Sequence, residues 1–235
     1  QGVKARESLE RYRSTAMPLM YSVVDQAIRR AAAVEKSETA SQRRQEKMQY
    51  EDKVQKDLDR VDAIRTANIP LVAQKDFRKA SAAVTKIITE LQTPEGADYL
   101  KLVCESYDRM DALKKFLMTR ISADTFKGEG TELGGDAIGA DLNGVRIALG
   151  SHGVVVWTWD QISVRLMIQM ASTYLGGKRA PSSPKEQADL WLDLAVYCYA
   201  NGGFKPAQGY ADQAAKLDSS LKTKARQLMP DLLPD

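Results

Sequence analysis

Apolar and small residues at Leu9, Tyr12, Ala16, Leu19, Val23, Ala27 and Val34 step by three and four along the first segment, which is one face of a helix. Pro18 interrupts that stripe and predicts a kink or break near Met17. Residues 35–65 are more polar, with a thinner stripe of Met48, Val54, Leu58, Val61 and Ile64. Glycine is absent from residues 3–95. A narrow apolar stripe on a long charged helix predicts a helical hairpin or coiled-coil arm rather than a deep core element.

Residues 66–121 read as three shorter helices. Pro70 lies within or just ahead of the first, and Thr93-Pro94-Glu95-Gly96 closes the second. The third runs from about Ala97 to Ile121, with Tyr99, Leu102, Val103, Tyr107, Met110, Leu113, Phe116 and Leu117 on its apolar side.

The pattern then changes period. Eight glycines fall between Gly128 and Gly153. Asn143-Gly144 predicts a type I′ hairpin turn, because both central residues of that turn need a positive φ. Val145, Ile147 and Leu149 alternate after it, Gly150-Ser151-His152-Gly153 makes a second turn, and Val154 to Trp159 forms a third strand. A three-stranded β-meander results, with Phe126 at its front. Helical spacing returns at Leu166, Ile168, Met170 and Tyr174, with Asp160 or Ser163 as cap. After the Ser/Pro-rich segment 178–184, helices are expected at about 185–201, 204–217 and 219–229.

The expected fold class is therefore mainly α with a small β insert. Its parts are a helical arm and bundle (1–121), a small β-meander plus helix (122–177), and a helix pair with a C-terminal helix (178–235).

Composition narrows the chemistry. One histidine, His152, and two cysteines, Cys104 and Cys198, exclude a multi-histidine metal centre, a Cys-rich zinc site and a disulfide framework. No apolar run is long enough to span a bilayer. The 34 basic and 31 acidic residues leave a net charge of +3, interleaved as in Arg43-Arg44-Gln45-Glu46-Lys47, which suits a solvated helix face better than a nucleic-acid stripe. No nucleic-acid partner is expected.

His152 sits in a glycine-flanked turn beside Ser151, where adjacent residues rarely face each other productively, so it reads as an ordinary turn residue. Asp141-Leu142-Asn143-Gly144 lacks the closing Glu of a calcium loop, since that position is Gly150. Gly128-Glu129-Gly130 and Gly176-Gly177-Lys178 lack the parts of a phosphate-binding loop. No catalytic, cofactor or metal residue is assigned.

Trp157 and Trp159, at period two, are expected on one strand face, either packed on the following helix or forming a partner-binding patch with Tyr197 and Tyr199. The alternative to a binding protein is an envelope hydrolase or carbohydrate-active protein, with Glu132, Asp136 and Asp141 gathered in a cleft.

The C-terminal pair carries Trp191, Leu194, Ala195, Cys198, Ala207, Ala211, Ala214 and Ser219, a spacing that resembles the tetratricopeptide repeat. Cys198 and Ala211 stand where aromatic residues are usual, and Ser219 replaces the terminating proline. A weaker likeness lies in residues 64–92, around Lys75-Asp76-Phe77-Arg78-Lys79-Ala80, Val84 and Ile87.

The order of parts, from Asp136 to Leu149, then Val154 to Ser163, then Trp191 to Leu217, resembles an accessory region of large envelope or kinase-linked proteins in planctomycete- and verrucomicrobia-type bacteria. That resemblance implies a non-catalytic attachment role. The start at Gln1-Gly2 without Met fits either removal of a signal peptide or anchor, or excision from a longer chain. The first would place the protein in the periplasm or cell envelope, with membrane association through the lost anchor. The reading that results is a non-enzymatic scaffold or adaptor with a protein partner, able to self-associate through its N-terminal arm.

Overall fold

The computed structural model describes residues 2–13, 21–177 and 180–232. They form a mainly α fold with one small antiparallel sheet. Two compact units divide the chain, residues 1–56 and 57–235.

In the first unit, α1 (Gly2–Arg13) lies against α2 (Tyr21–Ala67). Arg6 Nη1 meets Glu35 at 2.7 Å, and the Gly2 amide donates to Glu38 Oε2 at 3.2 Å. Gly2 is needed for this approach, because a Cβ there would fall 2.8 Å from the Glu35 backbone nitrogen. The expected break near Met17 and Pro18 lies outside the described residues. Residues 36–53 of α2 are exposed on every side. A helix that buries no face relies on propensity and on i,i+4 ion pairs, here Lys47–Glu51 at 3.5 Å and Asp52–Lys56 at 2.6 Å.

The second unit begins within α2 at Asp57, a buried carboxylate. Its Oδ2 accepts from the Gln92 amide (2.9 Å), the Thr93 amide (2.8 Å) and the Thr93 hydroxyl (2.7 Å). Burial pushes this carboxyl up, but those three bonds and Arg60 outweigh it and hold it below the ordinary value. α3 (Ile69–Ala73) carries Pro70 in its first turn, and α4 (Phe77–Thr85) is capped by Asp76. α5 (Pro94–Ala123) starts at the Thr93 cap, with Pro94 in the first turn. Thr93-Pro94-Glu95-Gly96 therefore opens a helix rather than closing one, since proline is tolerated where no intrahelical N–H bond is lost.

Strands β1 (Asp136–Ala140), β2 (Gly144–Ala148) and β3 (Val154–Thr158) pair in chain order, with Val145 opposite Trp157 and Ile147 opposite Val155. Phe126 bridges Ala137 on the far edge of β1. The β1–β2 turn differs from a type I′ turn. It has three residues, Asp141 to Asn143, and neither Asn143 nor Gly144 adopts a positive φ. Asp141 Oδ1 closes the turn by accepting from the Asn143 amide at 2.8 Å and the Gly144 amide at 3.3 Å. Gly144 is required for a different reason: a Cβ there would sit 2.1 Å from the Trp157 carbonyl oxygen.

Helices α6 (Val164–Gly176), α7 (Pro184–Ala200), α8 (Phe204–Leu217) and α9 (Leu221–Leu228) complete the unit. Ser163 and Ser183 cap the first two through Leu166 N and Glu186 N. One hydrophobic cluster runs without interruption through α4, α5, the inner sheet face and α6 to α9. The boundaries expected at 121/122 and 177/178 do not divide this core. The sheet is too small to bury its own face and uses α5 instead. Among the described residues no helix is long and apolar enough to cross a membrane.

Candidate protein-binding groove

A surface concavity of about 800 Å³ in the second unit lies between α5 and α7. Ala112, Lys115, Phe116, Thr119 and Arg120 recur at helical spacing on one wall; Glu186, Asp189, Leu190 and Asp193 do so on the other. The lined stretch of α5 is about 12 Å long at the helical rise per residue. Phe116 is half-buried, with its ring edge-on to Tyr174 at 6.5 Å and the Arg120 guanidinium 5.5 Å above it. Lys115, which also pairs with Asp111 at 2.6 Å, and Arg120 line the α5 wall, whereas on the α7 wall Glu186 and Asp189 outnumber Lys185.

An ion-pair network closes one end. Arg109 Nη1 donates to Asp193 Oδ1 at 2.8 Å, and Arg109 Nε to Glu105 Oε1 at 3.2 Å. Lys224 of α9 pairs with the other oxygen of Glu105. Burial pushes the Asp193 carboxyl up to about 7; Arg109 pulls it down, while Asp189 and Glu105 push it further up. A carboxyl this deeply buried beside one guanidinium keeps its charge only through that partner.

The four aromatic residues proposed from sequence as a binding patch do not gather into one. Trp159 is 3% exposed, and its Nε1 donates to the Asp141 carbonyl at 2.8 Å. β3 ends at Thr158 and Trp159 begins a 3₁₀ turn, so the period-two placement with Trp157 is broken. Trp157 is half-buried against the core. Tyr197 is 1% exposed, with its ring edge-on to Phe77 at 6.3 Å. Tyr199 is half-buried, packed on Phe204 at 5.6 Å, and its hydroxyl donates to Asp231 at 2.8 Å. Trp159 and Tyr197 are interior residues, which corrects their assignment to a surface patch.

The acidic residues of the β unit stay apart. Glu132 accepts from the Ser163 hydroxyl, Asp136 pairs with Lys127 at 2.6 Å, and Asp141 is occupied in its own turn. Asp136 and Asp141 stand at opposite ends of β1, so the cleft of converging carboxylates expected for a glycosidase-like site is not formed. His152 is exposed in its turn. Cys198 is a free, buried thiol, pushed up to about 12 by burial, and Cys104 is free and half-buried.

The sequence reading placed Phe116 on the apolar side of its helix but missed the groove, because each stripe is legible alone, whereas their facing requires α5 and α7 to be brought together across 84 residues. The i,i+3,i+4 recurrence of charged residues beside Phe116 and Leu190 was the available signal. Comparison of the chain with protein-family models, curated proteins and solved structures finds no match.

Proposed function

We propose that this chain is a non-enzymatic scaffold or adaptor that holds a protein partner in the α5–α7 groove. The observation that carries the reading is the unequal charge of the groove walls, Lys115 and Arg120 on α5 against Glu186 and Asp189, which outnumber Lys185, on α7, on either side of Phe116 and Leu190. The occupant of matching chemistry is an amphipathic helix whose apolar stripe is flanked by acidic residues on one side and basic residues on the other. The α7–α8 pair supports the same role as a tetratricopeptide-like unit, with Ala207, Ala211 and Ala214 buried where the two helices pack closely and Trp191 stacked on Tyr210 at 5.4 Å.

The test places a photo-crosslinking residue at Thr119 in the groove and, as control, at Lys205 on α8, in the full chain expressed in its native host. A discrete partner adduct from Thr119 and none from Lys205 is expected. Charge reversal by Glu186→Lys should reduce that adduct about tenfold. Equal labelling at both sites, or indifference to Glu186→Lys, would overturn the proposal.

A further inference from the structure

We propose that a second cleft, bounded by α4, α5 and the β1–β2 turn, binds the phosphate group of a small soluble ligand. This site is separate from the α5–α7 groove and does not depend on the scaffold reading.

Two buried ammonium groups lie behind the cleft. Lys114 of α5 is 9% exposed, and Lys75 of the α3–α4 turn is 6% exposed. Lys114 Nζ donates to the Lys75 carbonyl at 3.0 Å and stands 5.0 Å from the Trp159 ring centroid. Lys75 Nζ donates to Ile162 O at 2.6 Å and to Ala73 O at 3.3 Å. Among the described residues neither lysine forms an ion pair. Two cations this close repel one another; Asp160 faces Lys75, while Asp76 and Asp111 near Lys114 are paired with Lys79 and Lys115 at 2.6 Å, so positive charge is in excess behind the cleft. Burial and the nearby Lys114 lower the Lys75 ammonium against the pull of Asp160, and burial lowers that of Lys114 against Asp76 and Asp111. An anion in the cleft balances that excess.

The donors that face the cleft come from three separate elements. Lys114 has one of its three N–H bonds committed to Lys75. Arg78, in the first turn of α4, and the Asn143 side-chain amide, in the β1–β2 turn, both line the cleft and have no side-chain hydrogen-bond partner among the described residues. An ammonium, a guanidinium fork and an amide approaching from different directions suit a tetrahedral oxyanion better than the edge of a planar carboxylate.

Two carboxylates also line the cleft, and both are engaged. Asp76 pairs with Lys79 at 2.6 Å and caps α4. Asp160 faces the Lys75 ammonium, which it stabilises by charge. The uncommitted groups, Lys114, Arg78 and Asn143, therefore each bring at least one donor.

The experiment titrates the full chain with inorganic phosphate by calorimetry, with sodium chloride matching the ionic strength and acetate as the planar control. Saturable phosphate binding is expected. Arg78→Gln, Asn143→Ala and Lys114→Met should each weaken it about tenfold, the cost of one charge-assisted hydrogen bond. Arg78 and Asn143 are exposed, so their variants keep the test decisive if Lys114→Met fails to fold. Absence of saturable binding, wild-type affinity in Arg78→Gln and Asn143→Ala, or equal affinity for acetate would each overturn the assignment.

Discussion

The carbonyl of Lys75 accepts the Lys114 ammonium at 3.0 Å, while the Lys75 ammonium crosses to Ile162 O at 2.6 Å, so these two lysines tie the α3–α4 turn, α5 and the segment after β3 together. Lys75 does this from a left-handed backbone conformation, φ 53°, the only positive φ at a non-glycine residue among the described residues. The surrounding bonds explain the conformation. Lys75 N donates to Val72 O and Asp76 N to Leu71 O, the paired pattern that ends a helix at a left-handed residue, a position where glycine is usual.

Lys75→Ala and Lys75→Gly both remove the ammonium, but only alanine keeps the side-chain penalty for a left-handed residue. The glycine variant should be the more stable of the two by about 1 kcal/mol in urea unfolding. The reverse order would show that the turn relaxes once the lysine side chain is gone.

Asp193 predicts a pH dependence of defined sign. Its folded-state value near 7 lies above the ordinary 3.8, so the native protein holds this proton more tightly than the unfolded chain. The resulting stability is fully present below 3.8 and lost as pH rises through about 7. Asp193→Asn carries no titrating proton, and the difference in unfolding free energy between wild type and variant should shift in favour of the variant as pH rises across that window. Parallel profiles would place the Asp193 titration outside it.

Tyr197 offers a gain in stability. Its hydroxyl is buried and has no hydrogen-bond partner among the described residues, and burial raises the tyrosine well above its ordinary value. An unpaired buried hydroxyl loses its hydration without compensation. Tyr197→Phe keeps the ring contact with Phe77 and should stabilise the fold by about 1–2 kcal/mol, read as a higher urea midpoint with an unchanged slope. A loss of stability would mean that the hydroxyl has a partner, such as an ordered water.

Local chemistry was legible wherever its partners are neighbours in sequence. Ser163 caps α6 through an amide three residues on, and the alternation from Val145 to Ile147 orients β2 correctly. Where one local signal served two structures, the sequence reading erred. Thr93-Pro94 suits a helix end as well as a helix start, and the Asp57 carboxylate 36 residues away holds Thr93 at a start. Asn143-Gly144 suits a type I′ turn, but the Asp141 side chain closes the loop and Gly144 is required by the approach of Trp157.

The sequence by itself determined the kinds of element, their order and the faces that are apolar, because hydrophobic period and capping act over a few residues. Only the tertiary structure decided which of those faces meet. It buried Trp159 and Tyr197, kept the β-unit carboxylates apart, brought Arg109 to Asp193 and set Lys75 against Lys114. The physical reason is that a one-dimensional pattern reports the free energy of leaving water, which each side chain carries alone. The pairing of buried charges depends on the geometry of two distant segments once both have left it.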